Sequence, residues 1–283
     1  MTFIPLAQEA RPWYHLLISN GGDSMPSVNH IVIDTAKCVG CSKCVDDCPG
    51  AHLYIENGKA QARSSGCIEC GHCFAICPMG AVDMSNYYTN SCGPVVSMTE
   101  FEPQRLLDAM RSRRSIRRFK PEAVSGEALD MILEAGRSAP TAKNAQDIAY
   151  TVLGSQQEAI ERECVGIFRR AQKLASPVSD AVSKMEITDN FFFKGAPLVI
   201  VVSSRSEVDA SLASSYMELM AESLGLGVLY SGFFIVCTKL SAKLRGMLRL
   251  PDGHKAITCL VVGHPDVEYQ RTVPRKPLRK TVL

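Results

Sequence analysis

From residue 103 onward the hydrophobic positions recur at helical spacing or gather into short runs. Leu106, Leu107 and Met110 fall on one face of a helix with Pro103 near its start. Ser125 can cap a second helix carrying Leu129, Ile132 and Leu133, which Pro140 stops. Ser155 and Glu158 have capping-box spacing and predict a helix through about Leu174. "LVIVV" at 198–202 and "CLVVG" at 259–263 read as buried strands, and 213–224 and 240–248 as helices. An α+β fold is therefore expected for 103–283. The pattern before it differs. In 30–85, "IVID" leads in and "LYIENGKAQA" contains Asn57-Gly58, a strong hairpin turn. Residues 1–29 hold no sustained period of 2 or 3.6 and read as an N-terminal arm. Residues 86–102, polar and interrupted by Gly93 and Pro94, read as a linker.

Composition agrees with two domains, a small one ahead of a large one, in 283 residues. A hydrophobic share of 46% with 21% charged residues describes a globular chain able to bury a substantial core. The longest apolar-looking run, Leu226 to Cys237, falls well short of the roughly 20 residues of a membrane span. No secretory pattern is present, so the cytoplasm is the expected address. A net charge of +2 provides no global attraction to nucleic acid.

The twelve cysteines change the picture. Eight of them form two copies of one spacing, Cys38, Cys41, Cys44, Cys48-Pro49 and Cys67, Cys70, Cys73, Cys77-Pro78. Zinc sites bring cysteines as two separated pairs, so a third cysteine two residues beyond each pair argues for iron–sulfur chemistry instead. The run is the one known from two-cluster ferredoxins, where the fourth cysteine serves the other cluster. On that pattern one [4Fe-4S] cluster takes Cys38, Cys41, Cys44 and Cys77, and the second takes Cys67, Cys70, Cys73 and Cys48. Gly40, Gly71, Pro49 and Pro78 suit tight backbone folding around such a centre. Two clusters in one small domain imply electron transfer. Cys92, Cys164, Cys237 and Cys259 have no matching spacing and are expected to be free buried thiols.

"RSRRSIRRFK", 111–120, holds six basic residues in ten. No aromatic series or nucleic-acid motif accompanies it, and a phosphomonoester site is the more economical reading. "RRSIRRF" at 113–119, "SAPTAKNAQ" at 138–146, "AESLGLGVLYSGF" at 221–233 and "VVGHP…RTVPRKPL" at 261–278 together resemble the successive signatures of FMN-dependent nitroreductases. With the cysteine repeat in front, the chain resembles ferredoxin–nitroreductase fusions. The resemblance implies a nitroreductase-like FMN-binding domain with a small N-terminal two-cluster ferredoxin-like domain. It implies that Arg113, Arg114, Ser115 and Arg117 hold the FMN phosphate and ribityl chain, with Arg275 adding a cation. Pro140, Thr141, Ala142, Asn144 and Gln146 would lie along the flavin and ribityl. Tyr230, Ser231 and Gly232 would pass the flavin edge, where backbone N–H groups tune its electronics. "GLGVLYSG" lacks the G-x-G-x-x-G spacing of a Rossmann loop.

The resemblance further implies a homodimer with FMN at its interface and ping-pong reduction of a small organic acceptor, nitroaromatic, quinone-like or similar. No catalytic acid or base is assigned, and His72 reads as a loop residue beside a cluster. Single-domain members take hydride from NAD(P)H. A chain with its own clusters can instead accept electrons from a reduced ferredoxin-like carrier. Two other readings are an electron-transfer module serving only protein partners, and a cluster-bearing nucleic-acid binder. Neither a nucleic-acid nor a membrane partner is expected.

Overall fold

The computed structural model describes residues 30–283 except 86, 88, 90–91 and 176–183, so the expected N-terminal arm lies outside the described residues. The chain divides into two compact units. The first contains the described residues up to Cys67 and from Gly71 to Tyr87; the second contains 68–70 and everything after Tyr87.

In the first unit β1 (Ile31–Ile33) pairs antiparallel with β4 (Val82–Met84), and β2 (Leu53–Glu56) pairs with β3 (Lys59–Ala62). Asn57 and Gly58, at φ 50° and 75°, form the two-residue turn expected of Asn-Gly. Short helices α1 (Lys43–Asp46) and α2 (His72–Ile76) each lie inside a cysteine run and carry its third cysteine. The core is small, built on Ile31, Leu53, Val82 and Met84 with Cys38, Cys44 and Cys73.

The two cysteine runs share one backbone conformation. Left-handed residues recur in pairs 29 positions apart: Gly40 with Glu69, Ser42 with Gly71, and Ala51 with Gly80. A left-handed residue within a turn can aim successive backbone N–H groups toward one side, the geometry of an anion-binding concavity. At Gly40 there is a second constraint, because a Cβ there would lie 2.2 Å from the Gly58 carbonyl oxygen. The cluster loop and the hairpin turn touch where only glycine fits.

The second unit opens with α3 (Pro103–Ser112), with Pro103 in its first turn. Its predicted apolar face is exposed: Leu106, Leu107 and Met110 are 39%, 42% and 43% accessible. Helix α4 (Gly126–Arg137) is capped as expected, the Ala128 N–H donating to Ser125 Oγ at 3.1 Å. Helix α5 (Gln157–Ala175) starts after a 3-10 turn over 154–156, so Ser155 lies inside that turn rather than at a cap. Helix α6 (Glu207–Ser223) begins six residues before the expected start, where Ser206 Oγ accepts the Asp209 N–H. Helix α7 (Gly232–Leu240) was not expected; the helix expected at 240–248 is α8 (Ala242–Leu248), separated from α7 at Ser241, whose Oγ caps it.

Four strands form an antiparallel sheet in the order β5 (Ile148–Val152), β6 (Leu198–Ser204), β8 (Lys255–Gly263), β7 (Gly227–Tyr230). Every residue of β6 is buried. Val199 and Val201 face a core with α5, α7 and α8, and Leu198, Ile200 and Val202 face another with α4 and α6. That alternation is the two-sided burial of a central strand between helical layers. β5 and β7 were not expected, although "IAYTV" carries the β-branched and aromatic residues of a strand.

Replacing Gly40 by alanine should cost about 2–4 kcal/mol, from left-handed strain and the carbonyl clash together. Urea unfolding of the first unit, followed through the near-ultraviolet signal of Tyr54, is the measurement.

Candidate functional site

The first unit carries a hollow lined by Cys38, Cys41, Cys44 and Cys77, walled by Ile33, Ile55, Ala60, Ala81 and Val82. These are the four cysteines expected to share one cluster, three from one run and one from the other. Backbone N–H groups point at the sulfurs: Ala60 N to Cys38 Sγ at 3.4 Å and Ala81 N to Cys77 Sγ at 3.2 Å. Hydrogen bonds from Ala60 and Gly40 hold the Cys38 thiol below its ordinary value. Burial pushes the Cys44 thiol up, with Cys77, Cys38 and Cys41 adding to it. Among the described residues no three His, Cys, Asp or Glu side chains converge tightly enough for a single metal ion. The donor set and its N–H bonds suit a larger, anionic thiolate-bound centre.

For the second expected set the local features are present. Cys48 Sγ accepts the His52 N–H at 3.2 Å, and Cys67 and Cys73 pack in the core of the first unit. Cys70 belongs to the second unit. His72, expected in a loop, is instead the first residue of α2, and its Nδ1 lies 3.3 Å from Asp47 Oδ2, beside Cys48 of the other run. Of the four remaining cysteines, Cys164, Cys237 and Cys259 are buried as expected, and Cys237 Sγ donates to the Cys164 carbonyl at 3.9 Å. Cys92 is exposed, contrary to expectation, because it lies in the polar stretch after β4 with no core to enter.

In the second unit the basic segment runs beside β7. Ser115 bridges Val228 in parallel register and the Ile116 N–H donates to the Val228 carbonyl at 3.0 Å. Ile116 is the anchor, 5% exposed, and a Cβ on Gly227 would meet its Cγ1 at 2.3 Å. With Ile116 turned inward, Ser115 and Arg117 fall on the opposite side. Arg114 and Ser115 are half-buried and Arg117 is exposed. Arg113 is committed differently from the expectation: its Nη1 donates to Glu218 Oε1 of α6 at 2.8 Å, in a pair 25% and 10% exposed. Its remaining guanidinium donors are the ones available to a phosphate.

The turn after β7 is also partly used. The Ser231 N–H is already taken, donating to the Cys259 carbonyl at 2.9 Å. Gly232 opens α7, where first-turn N–H groups have no intrahelical acceptor. Tyr230 Oη donates to the Ser214 carbonyl at 2.9 Å, and burial with the nearby Glu218 carboxylate holds its phenol well above the ordinary value. Arg275 sits in the exposed C-terminal segment.

The loop after α4 is conformationally unusual. Lys143, Asn144 and Gln146 have φ of 54°, 53° and 48°, left-handed values that a non-glycine residue rarely adopts. Thr141 Oγ1 accepts the Gln146 N–H at 3.0 Å, and buried Asp209 accepts the Ala142 N–H at 3.2 Å. Pro140, Ala142 and Gln146 are exposed, Thr141 and Asn144 half-buried.

These contacts sort the expected residues into two groups. Arg113, Ser115 and Tyr230 gather near Glu218 and β7. The 140–146 loop attaches at Asp209 and, through Asn144 Nδ2 donating at 2.8 Å, at the Glu69 carbonyl. Nine helical residues separate Asp209 from Glu218, about 13 Å along α6. The two groups are thus anchored at different points along one helix. Sequence reasoning missed Asp209, Glu218 and Glu222, since acidic residues on a helix ordinarily read as its solvated face.

Residues 110–264 match the family model described as Nitroreductase family, and residues 30–78 match the 4Fe-4S dicluster domain. The chain is similar to FMN reductase (NADPH) of Bacillus subtilis (strain 168), 27% identical over 56% of this chain and 65% of that protein. It is similar also to FMN reductase [NAD(P)H] of the same strain, 30% identical over 61% of this chain and 70% of that one. The chain thus spans about two thirds of these relatives' length. A solved nitroreductase with bound FMN from Bacteroides fragilis shares the fold, with a TM-score of 0.51 at 21% identity over 62% of this chain and 98% of that one.

Beside Arg113, Glu222 Oε1 is buried and has no hydrogen-bond partner among the described residues. Burial, then the Glu218 charge, pushes its carboxyl up against the opposing pull of Arg113. A carboxyl raised in the folded state contributes stability that is present below its unfolded value near ~4.3 and lost as pH rises through the folded one. Glu222→Gln should therefore raise the thermal midpoint at pH 7, and the gain should vanish by about pH 4. Paired melting curves across that range provide the check.

Proposed function

Because the chain belongs to the nitroreductase family and carries a 4Fe-4S dicluster domain match ahead of that region, we propose that it is a cytoplasmic iron–sulfur flavoprotein oxidoreductase. It holds two [4Fe-4S] clusters and FMN and moves electrons from an external carrier to a small organic acceptor, nitroaromatic, quinone-like or similar. The observation that carries this reading is the hollow lined by Cys38, Cys41, Cys44 and Cys77, a thiolate site on the same polypeptide as a nitroreductase fold. The paired left-handed residues of the two runs support a second site of the same kind at Cys67, Cys70, Cys73 and Cys48. When bound, the clusters supply single-electron transfer and FMN supplies its conversion to two-electron reduction.

The chain's own residues have distinct tasks. Arg114, Ser115, Arg117 and the open edge of Arg113 would bind the phosphate and ribityl, with Arg275 as a further cation. Glu218 fixes the Arg113 guanidinium so that it approaches along one edge. Pro140, Thr141, Ala142, Asn144 and Gln146 would line the flavin, with Gly232 N–H at its edge. Tyr230 has its hydroxyl spent on Ser214 and would act through position, not proton transfer.

A homodimer reconciles the two separated groups. The basic segment of one copy and the 140–146 loop of the other would then complete each site. The exposed apolar face of α3, Leu106, Leu107 and Met110, supports the same association. Both FMN reductases among the relatives are named for nicotinamide donors. The cluster domain adds a ferredoxin-like carrier as this chain's donor.

Anaerobic protein should contain about eight iron, eight sulfide and one FMN per chain. Cys41→Ala should abolish turnover driven by reduced ferredoxin while sparing any driven by NADPH. Ferredoxin turnover that survives the change would refute the cluster route. Chain sharing has its own test, a doubly tagged heterodimer of an Arg114→Ala/Arg117→Ala chain and a Thr141→Ala/Asn144→Ala chain. Each homodimer should lose FMN, and the heterodimer should recover about one FMN per dimer because one of its two sites is then intact. A heterodimer that stays empty means both groups serve the same chain's site.

A further inference from the structure

Three residues stand one step outside a row of paired strands. Ile148, Ser204 and Lys255 are mutually in register across β5, β6 and β8, and Asp147, Arg205 and His254 flank that row. Their side chains converge. His254 Nε2 lies 2.7 Å from Asp147 Oδ1, and Arg205 Nη1 donates to the same oxygen at 3.1 Å. The other ring nitrogen, Nδ1, faces Ser203 Oγ at 3.4 Å. Arg205 Nη2 donates to the Asp252 carbonyl at 2.8 Å, which ties the β8 turn into the group. The carboxylate only accepts, so Nε2 carries the imidazole proton and Nδ1 faces the hydroxyl. Burial raises the Asp147 carboxyl, but His254 and Arg205 outweigh it and hold the group below the ordinary aspartate value.

The Asp–His–Ser order suggests a hydrolytic triad, yet Ser203 is fully buried in β6 and cannot meet a substrate. Its hydroxyl also lies 3.3 Å from the Ala149 carbonyl. The chain of contacts is mechanical. Asp147 directly follows Gln146, the last residue of the left-handed loop. At the loop's other end, Asp209 Oδ1 accepts the Ala142 N–H, and Asp209 is 3% exposed. Left-handed Lys143, Asn144 and Gln146 persist only where their surroundings fix them.

We propose that Asp147, His254 and Arg205 at one end and Asp209 at the other clamp the ends of the 141–146 loop, which Asn144 also ties to the Glu69 carbonyl, in the conformation that receives FMN. These are positioning residues that set cofactor affinity through the loop. The inference rests on the assignment of the loop to FMN made above.

The test compares wild-type dimer with His254→Leu, His254→Gln, Asp209→Ala and Asp209→Asn. Apoprotein is titrated with FMN by flavin fluorescence, and hydrogen exchange is measured over 141–146 and over β6. Leu and Ala should weaken FMN binding about tenfold or more, the scale of losing an outer-shell partner. They should speed exchange in the loop and leave β6 protected. Gln retains the donor toward Asp147 and Asn retains the acceptor for Ala142, so both should bind FMN close to wild type. Wild-type binding that persists in the Leu and Ala variants overturns the clamp alone, as does weakened binding accompanied by equal loss of protection in β6. Failure of the wild type to bind FMN overturns the flavin assignment and the clamp with it.

Discussion

Burial of β6 on both faces is the constraint on which the second unit depends. A strand with no exposed side chain must be covered by helices above and below, and its neighbours β5 and β8 must stay in register to satisfy its backbone. No side chain in the middle of such a strand can meet a ligand. Candidate chemistry is therefore confined to the ends of the sheet and to segments laid against its margin. The basic segment beside β7 is one such place, and the loop entering β5 is another. Packing and site are coupled there: Ile116 is a core residue on Gly227 and, by pointing inward, turns Ser115 and Arg117 outward.

The first unit follows a different logic. Its core is too small to be independent of the cysteines, which supply part of the packing at Cys38, Cys44 and Cys73. Left-handed Ala51 and Gly80, at matching places in the two runs, turn the N–H groups of His52 and Ala81 onto Cys48 and Cys77 sulfur, and those bonds favour thiolate over thiol. The same cysteines therefore serve both the packing and the expected ligand set of this unit.

Electrostatics along α6 connects the two candidate segments of the second unit. Asp209 takes an N–H from the loop near one end of the helix, and Glu218 takes the Arg113 guanidinium toward the other. Both carboxylates are buried and both are satisfied, so each fixes its partner instead of standing as an unpaired charge. Glu222, one turn beyond Glu218, lacks that compensation for one oxygen.

The sequence by itself determined what depends on near neighbours. Cysteine spacing, the Asn57-Gly58 turn, the Ser125 cap and the runs at 198–202 and 259–263 were all legible, because each is a local geometric requirement written in a few adjacent residues. The four motifs that resemble nitroreductases were legible for the same reason. Helix ends were less so: the break at Ser241 and the early start at Ser206 depend on which competing cap the packed chain selects. Only the tertiary structure decided the rest. Asp209 reaches Ala142 across 67 residues and His254 reaches Asp147 across 107. Those pairings exist because strand order brings distant turns to one edge of the sheet, and strand order is set by the packing of whole layers, which hydrophobic periodicity along the chain does not encode.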